Sequence, residues 1–355
     1  MTSTHSPSAA AHAGQCILVT GAGGSIGSAL TVALAAAAPR FLVLLDNSEH
    51  RLHEMDLLLR EGHDVPYAAV LGDICDVPLI EEIFDRFRPG TIFHAAACKH
   101  VPLMEKNPLA AIRTNAVGTW RLLRVAERFS VASFLLISTD KAVNPASVMG
   151  ASKRVAEMAL QRFLGKNLVT QTIRLGNVLG SSGSVAPLFD RQIAKGGPVT
   201  VTHEAAERYF FSLDETVEMI LALSPRDSGI FIPRLGQPTK ISHLAERMIR
   251  ESPARHGYSA GVAITFSGLR PGDKLAEEFM KADESAEAAS DPRLLHVCGP
   301  QLIPEKFDAA MARLSDAVQE RDLPDALAVL CELVPEYRPS KVLLDIAKTT
   351  QAAKA

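Results

Sequence analysis

Short apolar runs separated by amphipathic stretches set the rhythm of this chain. Cys16–Thr20, Phe41–Asp46, Tyr67–Leu71, Thr91–Ala97, Phe134–Ser138 and Val169–Leu175 are almost continuously apolar and of strand length. Between them lie an Ala-rich stretch, Ser25–Ala38, stopped by Pro39, an amphipathic stretch to about Arg60, and helical patterns near 78–87, 110–129 and 150–164. Strands apolar on both faces, alternating with helices, predict a parallel, doubly wound α/β sheet. From Gly176 the pattern loosens into Gly-, Ser- and Pro-rich loops, with a helix near 242–251 and a strand near 263–267. The predicted organisation is a disordered tail (1–14) and a main α/β domain (15–175) completed by parts of 205–240. A smaller interleaved lobe (176–300) and a helical C-terminal segment (301–355), broken at 335–339, follow.

Composition narrows the partners. With 37 basic and 40 acidic residues the net charge is −3 over 355 residues, which offers no field for nucleic acid or a membrane surface. Five scattered cysteines, Cys16, Cys75, Cys98, Cys298 and Cys331, form no C-x-x-C pair, so neither a disulfide framework nor a metal site is expected. No apolar run approaches the ~20 residues that span a bilayer. The Ser/Ala/His-rich start lacks the features of a signal peptide, and a cytoplasmic setting is the expectation.

The chemistry begins where the first strand runs into Gly21-Ala22-Gly23-Gly24-Ser25-Ile26-Gly27. Glycines at a strand-to-helix junction permit a tight turn at Gly21, close backbone approach of a pyrophosphate at Gly24, and close helix–strand packing at Gly27. This marks the doubly wound sheet as a Rossmann-type dinucleotide site, with the helix N-terminus at Ser25 and Ile26 facing the phosphates. Asp46 ends the second strand, 19 residues beyond Gly27. A carboxylate there accepts ribose hydroxyls and repels a 2′-phosphate, which favours NAD, with Asn47 and Ser48 beside it. Arg51 is the nearby group that could reverse this preference. Asp73 and Ile74 follow the third strand, where Asp73 either accepts from the adenine or caps its own turn. Ala95, Ala96 and Ala97 supply small side chains for a cofactor to lie against.

The glycine spacing and the run Thr114-Asn115-Ala116-Val117-Gly118-Thr119 resemble extended short-chain dehydrogenase/reductases. The segments at 45–49, 94–102 and 138–145 are similar to the bacterial UDP-N-acetylglucosamine 4,6-dehydratases of the polysaccharide-biosynthesis group. So are Met149-Gly150-Ala151-Ser152-Lys153, residues 176–185, and Gly268-Leu269-Arg270-Pro271-Gly272-Asp273-Lys274. Many members carry an N-terminal membrane domain, whereas this chain begins close to the nucleotide-binding strand. Where the superfamily has Tyr-x-x-x-Lys, this sequence has Met149 and Lys153, a substitution it shares with the membrane-anchored branch.

The resemblance implies a UDP-sugar substrate, bound NAD, a homo-oligomer, and a lyase reaction with Asp140 as acid and Lys141 as base. Hydride leaves C4, water is eliminated across C5–C6, and the hydride returns to C6. To act as a base Lys141 needs a lowered pKa, which burial and Lys153 would supply. With Met149 unable to ionise, ionised Asp140 is expected to take the C4 hydroxyl proton and later protonate the C6 leaving group, while Thr139 orients that hydroxyl. Lys153 and Asn115 belong with the cofactor. Arg270 and Arg208 are candidates for the substrate diphosphate, and Lys99, Asn177, Ser184, Val185 and Glu277 for further contacts in the substrate-binding lobe. Exposed polar loop residues would look the same. A UDP-sugar 4-epimerase and a non-catalytic NAD-binding sensor are the competing readings. An epimerase would have no use for Asp140-Lys141 and would normally keep the Tyr, and retention of Asp140, Lys141 and the Arg270 loop argues against the sensor.

Overall fold

The computed structural model describes residues 9–223, 227–252, 261–300 and 305–354. Strands β1 (Cys16–Thr20), β2 (Phe41–Asp46), β3 (Tyr67–Leu71), β4 (Thr91–His94), β5 (Ser133–Thr139) and β6 (Val169–Leu175) pair in parallel in the order β3-β2-β1-β4-β5-β6. Helices α1 (Ser25–Ala35), α2 (Glu49–Gly62) and α3 (Val77–Phe87) make the crossovers of the first half. The two faces bury different halves of each strand, as a period of two demands. Cys16 and Leu18 of β1, with Phe134 and Leu136 of β5, face one core. Ile17, Val19, Leu135 and Ile137 face the other.

Beyond β6 the sheet differs from a purely parallel one. Gly229–Pro233 adds in parallel to β6, then Leu294–Cys298 and Ser285–Ala288 add antiparallel and close that edge. Strands 285–288 and 294–298 thus belong to the main sheet, although the 176–300 boundary placed them in the lobe. Ser285–Ala288 is short and Ala-rich, and Leu294–Cys298 is a short apolar run that becomes a strand through its pairing with Ile230–Pro233. The lobe keeps a small core of its own, around Phe189, Ile193, Val199, Val201, Ile241 and Ala245.

The expected helix over 110–129 is resolved into Pro108–Ala111, a π-turn over Ile112–Gly118, and Thr119–Arg128. π-bulges of this sort gather at functional positions, and this one carries Asn115. The C-terminal segment forms helices Phe307–Gln319, Leu323–Leu333 and Lys341–Lys354, whose Phe307, Met311, Leu314, Leu330 and Leu343 complete the core on the α3 side. Among the described residues no helix is long and apolar enough to cross a membrane, and no cluster of His, Cys, Asp or Glu could hold a metal ion.

Candidate active site

The glycine loop is shaped by contact, not by flexibility. Gly21 has φ of +67°, and a Cβ on it would lie 2.6 Å from the Ala96 nitrogen. At Gly27 a Cβ would meet the Gly21 carbonyl oxygen at 2.0 Å. The small residues therefore bring the β1–α1 turn, the first turn of α1 and the Ala95-Ala96-Ala97 run together, leaving backbone N–H groups free at the start of α1. Asp46 is buried beside them. Its two oxygens accept from the backbone N–H groups of Gly23 and Ser48, both at 2.9 Å. That fixes the carboxylate where an adenosine ribose would lie, and the cradle of small side chains fits a dinucleotide. Asp73 accepts from the Cys75 N–H at 2.9 Å and from Arg113 at 2.8 Å. It thus caps its own turn, one of the two roles open from the sequence. Ile74 packs against Gly118 of the π-turn.

Basic side chains gather at the rim. Arg51, Lys99 and His100 have no acidic partner among the described residues and act on one another. Desolvation in the cleft and the Arg51 charge lower Lys99, and desolvation with Lys99 and Arg51 lowers His100. His100 lies against Gly183, where a Cβ would approach its ring to 2.3 Å. Next to this contact Ser25 Oγ accepts from the Ser182 N–H at 3.0 Å and donates to Ser182 Oγ at 3.3 Å. The glycine loop and the 180–183 loop, 157 positions apart, are thereby tied together at the start of α1.

Behind the loop, His94 clamps β1 to the helix at 119–128. Its Nδ1 is 2.7 Å from Thr20 Oγ1 and its Nε2 is 2.8 Å from Thr119 Oγ1. Complete burial, reinforced by the Lys153 charge, pushes its pKa down to about 3. Asn115 accepts from the Cys98 N–H and donates to the Cys98 carbonyl and to Ser152 Oγ. Lys153, on the Val148–Gln161 helix with Met149, donates to the Ile137 carbonyl at 2.7 Å. Burial, opposed by Glu157, brings its pKa down to about 8.

At the C-terminal end of β5 an ionic cluster begins. Asp140 Oδ1 accepts from Thr139 Oγ1 and from Lys141 Nζ, both at 2.9 Å. Lys141 Nζ also lies 3.6 Å from Glu277 Oε1 and 3.5 Å from Asn177 Oδ1. Here the structure corrects the expectation for Lys141. Burial alone would lower its pKa, but attraction to Asp140 and Glu277 outweighs it and raises the pKa above the usual lysine value. Of Lys141 and Lys153, it is Lys153 whose pKa falls. Gly150 lets the helix bearing Met149 sit against this turn, since a Cβ there would lie 2.2 Å from the Lys141 carbonyl oxygen.

Arg208 and Arg270, paired from sequence as diphosphate binders, differ in availability. Arg208 donates to the carbonyls of Glu207, Leu275 and Lys274 at 2.7–2.9 Å, and its Nε lies 3.5 Å from Glu277. Its guanidinium is thus committed to bracing the 274–277 segment. Arg270 is half exposed and pairs with Asp273 at 2.8 Å, a pair that an anion can displace. Ser184 precedes the Val185–Ala194 helix with its Oγ enclosed and lacking a hydrogen-bond partner.

Three arrangements escaped sequence reasoning. One is the Ser25–Ser182 tie. The second is buried Glu105, which accepts from the Val148 N–H at 2.8 Å and from Ser340 Oγ at 2.6 Å, fastening the start of the Met149 helix to the C-terminal segment. The third is buried Arg174, paired with Glu157 and Glu284 under the same helix.

Comparison with known proteins gives this geometry relatives. The capsular polysaccharide biosynthesis protein CapD of Staphylococcus aureus is 43% identical over 76% of this chain and 45% of its own length. The chain spans about half the length of that relative and of EpsC of Bacillus subtilis. A UDP-N-acetylglucosamine 4,6-dehydratase (inverting) of Campylobacter jejuni is 29% identical over 95% of this chain and 98% of its own. A UDP-glucose 4-epimerase of Rickettsia rickettsii is 31% identical over 77% and 79%. Among solved structures, Pen from Bacillus thuringiensis superposes with a TM-score of 0.74 at 28% identity, covering 81% of this chain and 89% of that one. A Thermus thermophilus UDP-glucose 4-epimerase in complex with NAD shares the fold (TM-score 0.61, 23% identity, 75% and 90% covered). A family described as polysaccharide biosynthesis protein matches residues 17–298, and the chain belongs to that family.

Proposed function

We propose that the protein is an NAD-dependent lyase that removes water from a UDP-hexose, most simply UDP-N-acetylglucosamine, to give the 4-keto-6-deoxy sugar. The observation that carries this reading is the Asp140–Lys141 contact of 2.9 Å at the C-terminal edge of β5. Ligands bind at that edge in open α/β sheets. A 4-epimerase has no need of an acid–base pair for C5 and C6. An NAD sensor has no need of one at all. Relatives named as dehydratase and epimerase both exist, and this pair is what favours dehydration in our reading.

Bound NAD would be held by the Gly21–Gly27 loop, Asp46, Asn115 and Lys153, and it supplies the acceptor and later the donor of the hydride exchanged between C4 and C6. The preference for NAD rests on Asp46, already fixed by two N–H donors and like-charged to a 2′-phosphate. Asp140 takes the C4 hydroxyl proton, with Thr139 orienting that hydroxyl. Lys141, charged and touching Asp140, gives a proton to the C6 hydroxyl as it leaves and is recharged by Asp140. The keto group at C4 makes the C5 proton acidic, so elimination follows oxidation. UDP enters against Arg270, Ser184 and Asn177, with Lys99 at the edge of the cleft.

Incubation with UDP-N-acetylglucosamine followed by mass analysis tests the reading. Loss of one water supports it. An isomer of unchanged mass would overturn it in favour of epimerisation, and unchanged substrate with nucleotide bound would leave a sensor.

A further inference from the structure

The cluster around Lys141 contains one carboxylate that the scheme above does not use. Glu277 lies on residues 267–284, a stretch with neither helix nor strand. Its side chain is only 2% exposed, and its Oε1 contacts both Lys141 and Arg208. Its Oε2 is enclosed with no hydrogen-bond partner, and Asp140 Oδ2 is in the same state. A buried carboxylate oxygen without a donor is costly, and native structures keep few of them. Two such oxygens beside one lysine leave the cluster short of hydrogen-bond donors. Arg208 cannot relieve either, because three backbone carbonyls already hold it.

We propose that Glu277 is the base that takes the C5 proton of the sugar, and that Lys141 works beside it as an ammonium donor. This rests on the dehydration reading above. A carboxylate is a suitable base for a proton next to a carbonyl and serves that purpose on other folds. Lys141, held between two carboxylates, is in the charged state that a donor needs and a base must avoid. Enclosure also keeps a transferred proton from being lost to bulk water.

The protons then balance. The C4 hydroxyl proton goes to Asp140 and the hydride leaves C4. The C5 proton goes to Glu277, and the electron pair of the C5–H bond forms the C5–C6 double bond as the C6–O bond breaks. Lys141 protonates the departing hydroxide, giving water, and is recharged by Asp140 at 2.9 Å. When the hydride returns to C6, Glu277 gives its proton back to C5. The substrate has lost one water, and every side chain is restored.

The test compares wild type, Glu277→Gln, Glu277→Asp and Lys141→Met in D₂O with UDP-N-acetylglucosamine, reading water loss, deuterium at C5 and reduced-nicotinamide absorbance. Glu277→Gln should lose at least ~10²-fold in dehydration and in C5 exchange, yet oxidise C4 and build up the absorbance. Glu277→Asp should restore part of the exchange. Lys141→Met should exchange C5 without losing water. Wild-type dehydration with C5 exchange undiminished in Glu277→Gln would overturn the assignment while leaving the function intact. So would exchange abolished by Lys141→Met alone. Bound nucleotide with neither absorbance nor exchange in Glu277→Gln would make Glu277 structural and overturn it too. Failure of the wild type to release water would instead overturn the dehydration reading itself.

Discussion

The two sides of the cleft are built on different principles. On the cofactor side the shape is set by backbone and small side chains, and the hydrogen bonds are made: Asp46 by two N–H donors, Asn115 by Cys98 and Ser152, His94 by two threonines. On the substrate side four ionisable groups from distant segments share too few partners, and oxygens of Asp140, Glu277 and Ser184 are left without any. A saturated site is preformed and rigid. An unsaturated one holds free energy that a ligand can release by supplying the missing hydrogen bonds. The comparison teaches that substitutions on the first side should damage the fold and those on the second should damage turnover.

The largest effect expected from that contrast is at Gly27. A valine there drives side-chain atoms into the Gly21 carbonyl, so Gly27→Val should cost about 3 kcal/mol or more and yield protein free of nucleotide. Normal unfolding behaviour with nucleotide retained would break the contrast on its cofactor side. Next comes Asp140→Asn, for which turnover should fall ~10²–10⁴-fold while bound nucleotide and melting temperature stay close to wild type. A loss of only a few-fold would make the cluster a structural one.

The third prediction concerns pH and belongs to the cofactor side. His94 titrates near 3 when folded, against an ordinary value of 6.5. Its contribution is therefore intact above about pH 6.5 and is lost as pH falls, because the unfolded chain takes the proton first. Between pH 7.5 and 4.5 this should remove about 2–3 kcal/mol of unfolding free energy. Denaturant titrations of wild type and His94→Asn at both pH values measure it, and the variant should show the smaller difference. Equal differences in the two proteins would mean that the ring is not held neutral. The smallest effect is expected from Ser184→Ala. With no partner to lose, stability should stay within ~0.5 kcal/mol, while KM for the UDP-sugar rises several-fold. A drop in stability with KM unchanged would move Ser184 out of the substrate side.

The same contrast explains what could be read in advance. The doubly wound sheet, the glycine loop and Asp46 are local signals, a spacing of a few residues or one residue at a strand end, so sequence carries them whole. His94 is local too, yet its meaning lies in Thr20 and Thr119, which become its partners only in the fold. The direction of the Lys141 shift depends on Glu277, and the commitment of Arg208 on carbonyls of 274 and 275. Both are products of long-range folding that residue type does not encode. The antiparallel strands at 285–288 and 294–298 were hidden for a similar reason, since only their pairing in the sheet makes them strands.

Glu105 has a consequence in time. Its carboxylate joins the Val148 N–H to Ser340, and the two side chains of that link are 235 positions apart. On a ribosome adding about 5–20 residues per second, the second partner follows the first by roughly 10–50 s. Until then the helix bearing Met149 and Lys153 begins beside a buried carboxylate only half satisfied. The sheet can assemble as it emerges, but the start of the Met149 helix acquires its final fastening only once Ser340 has been made.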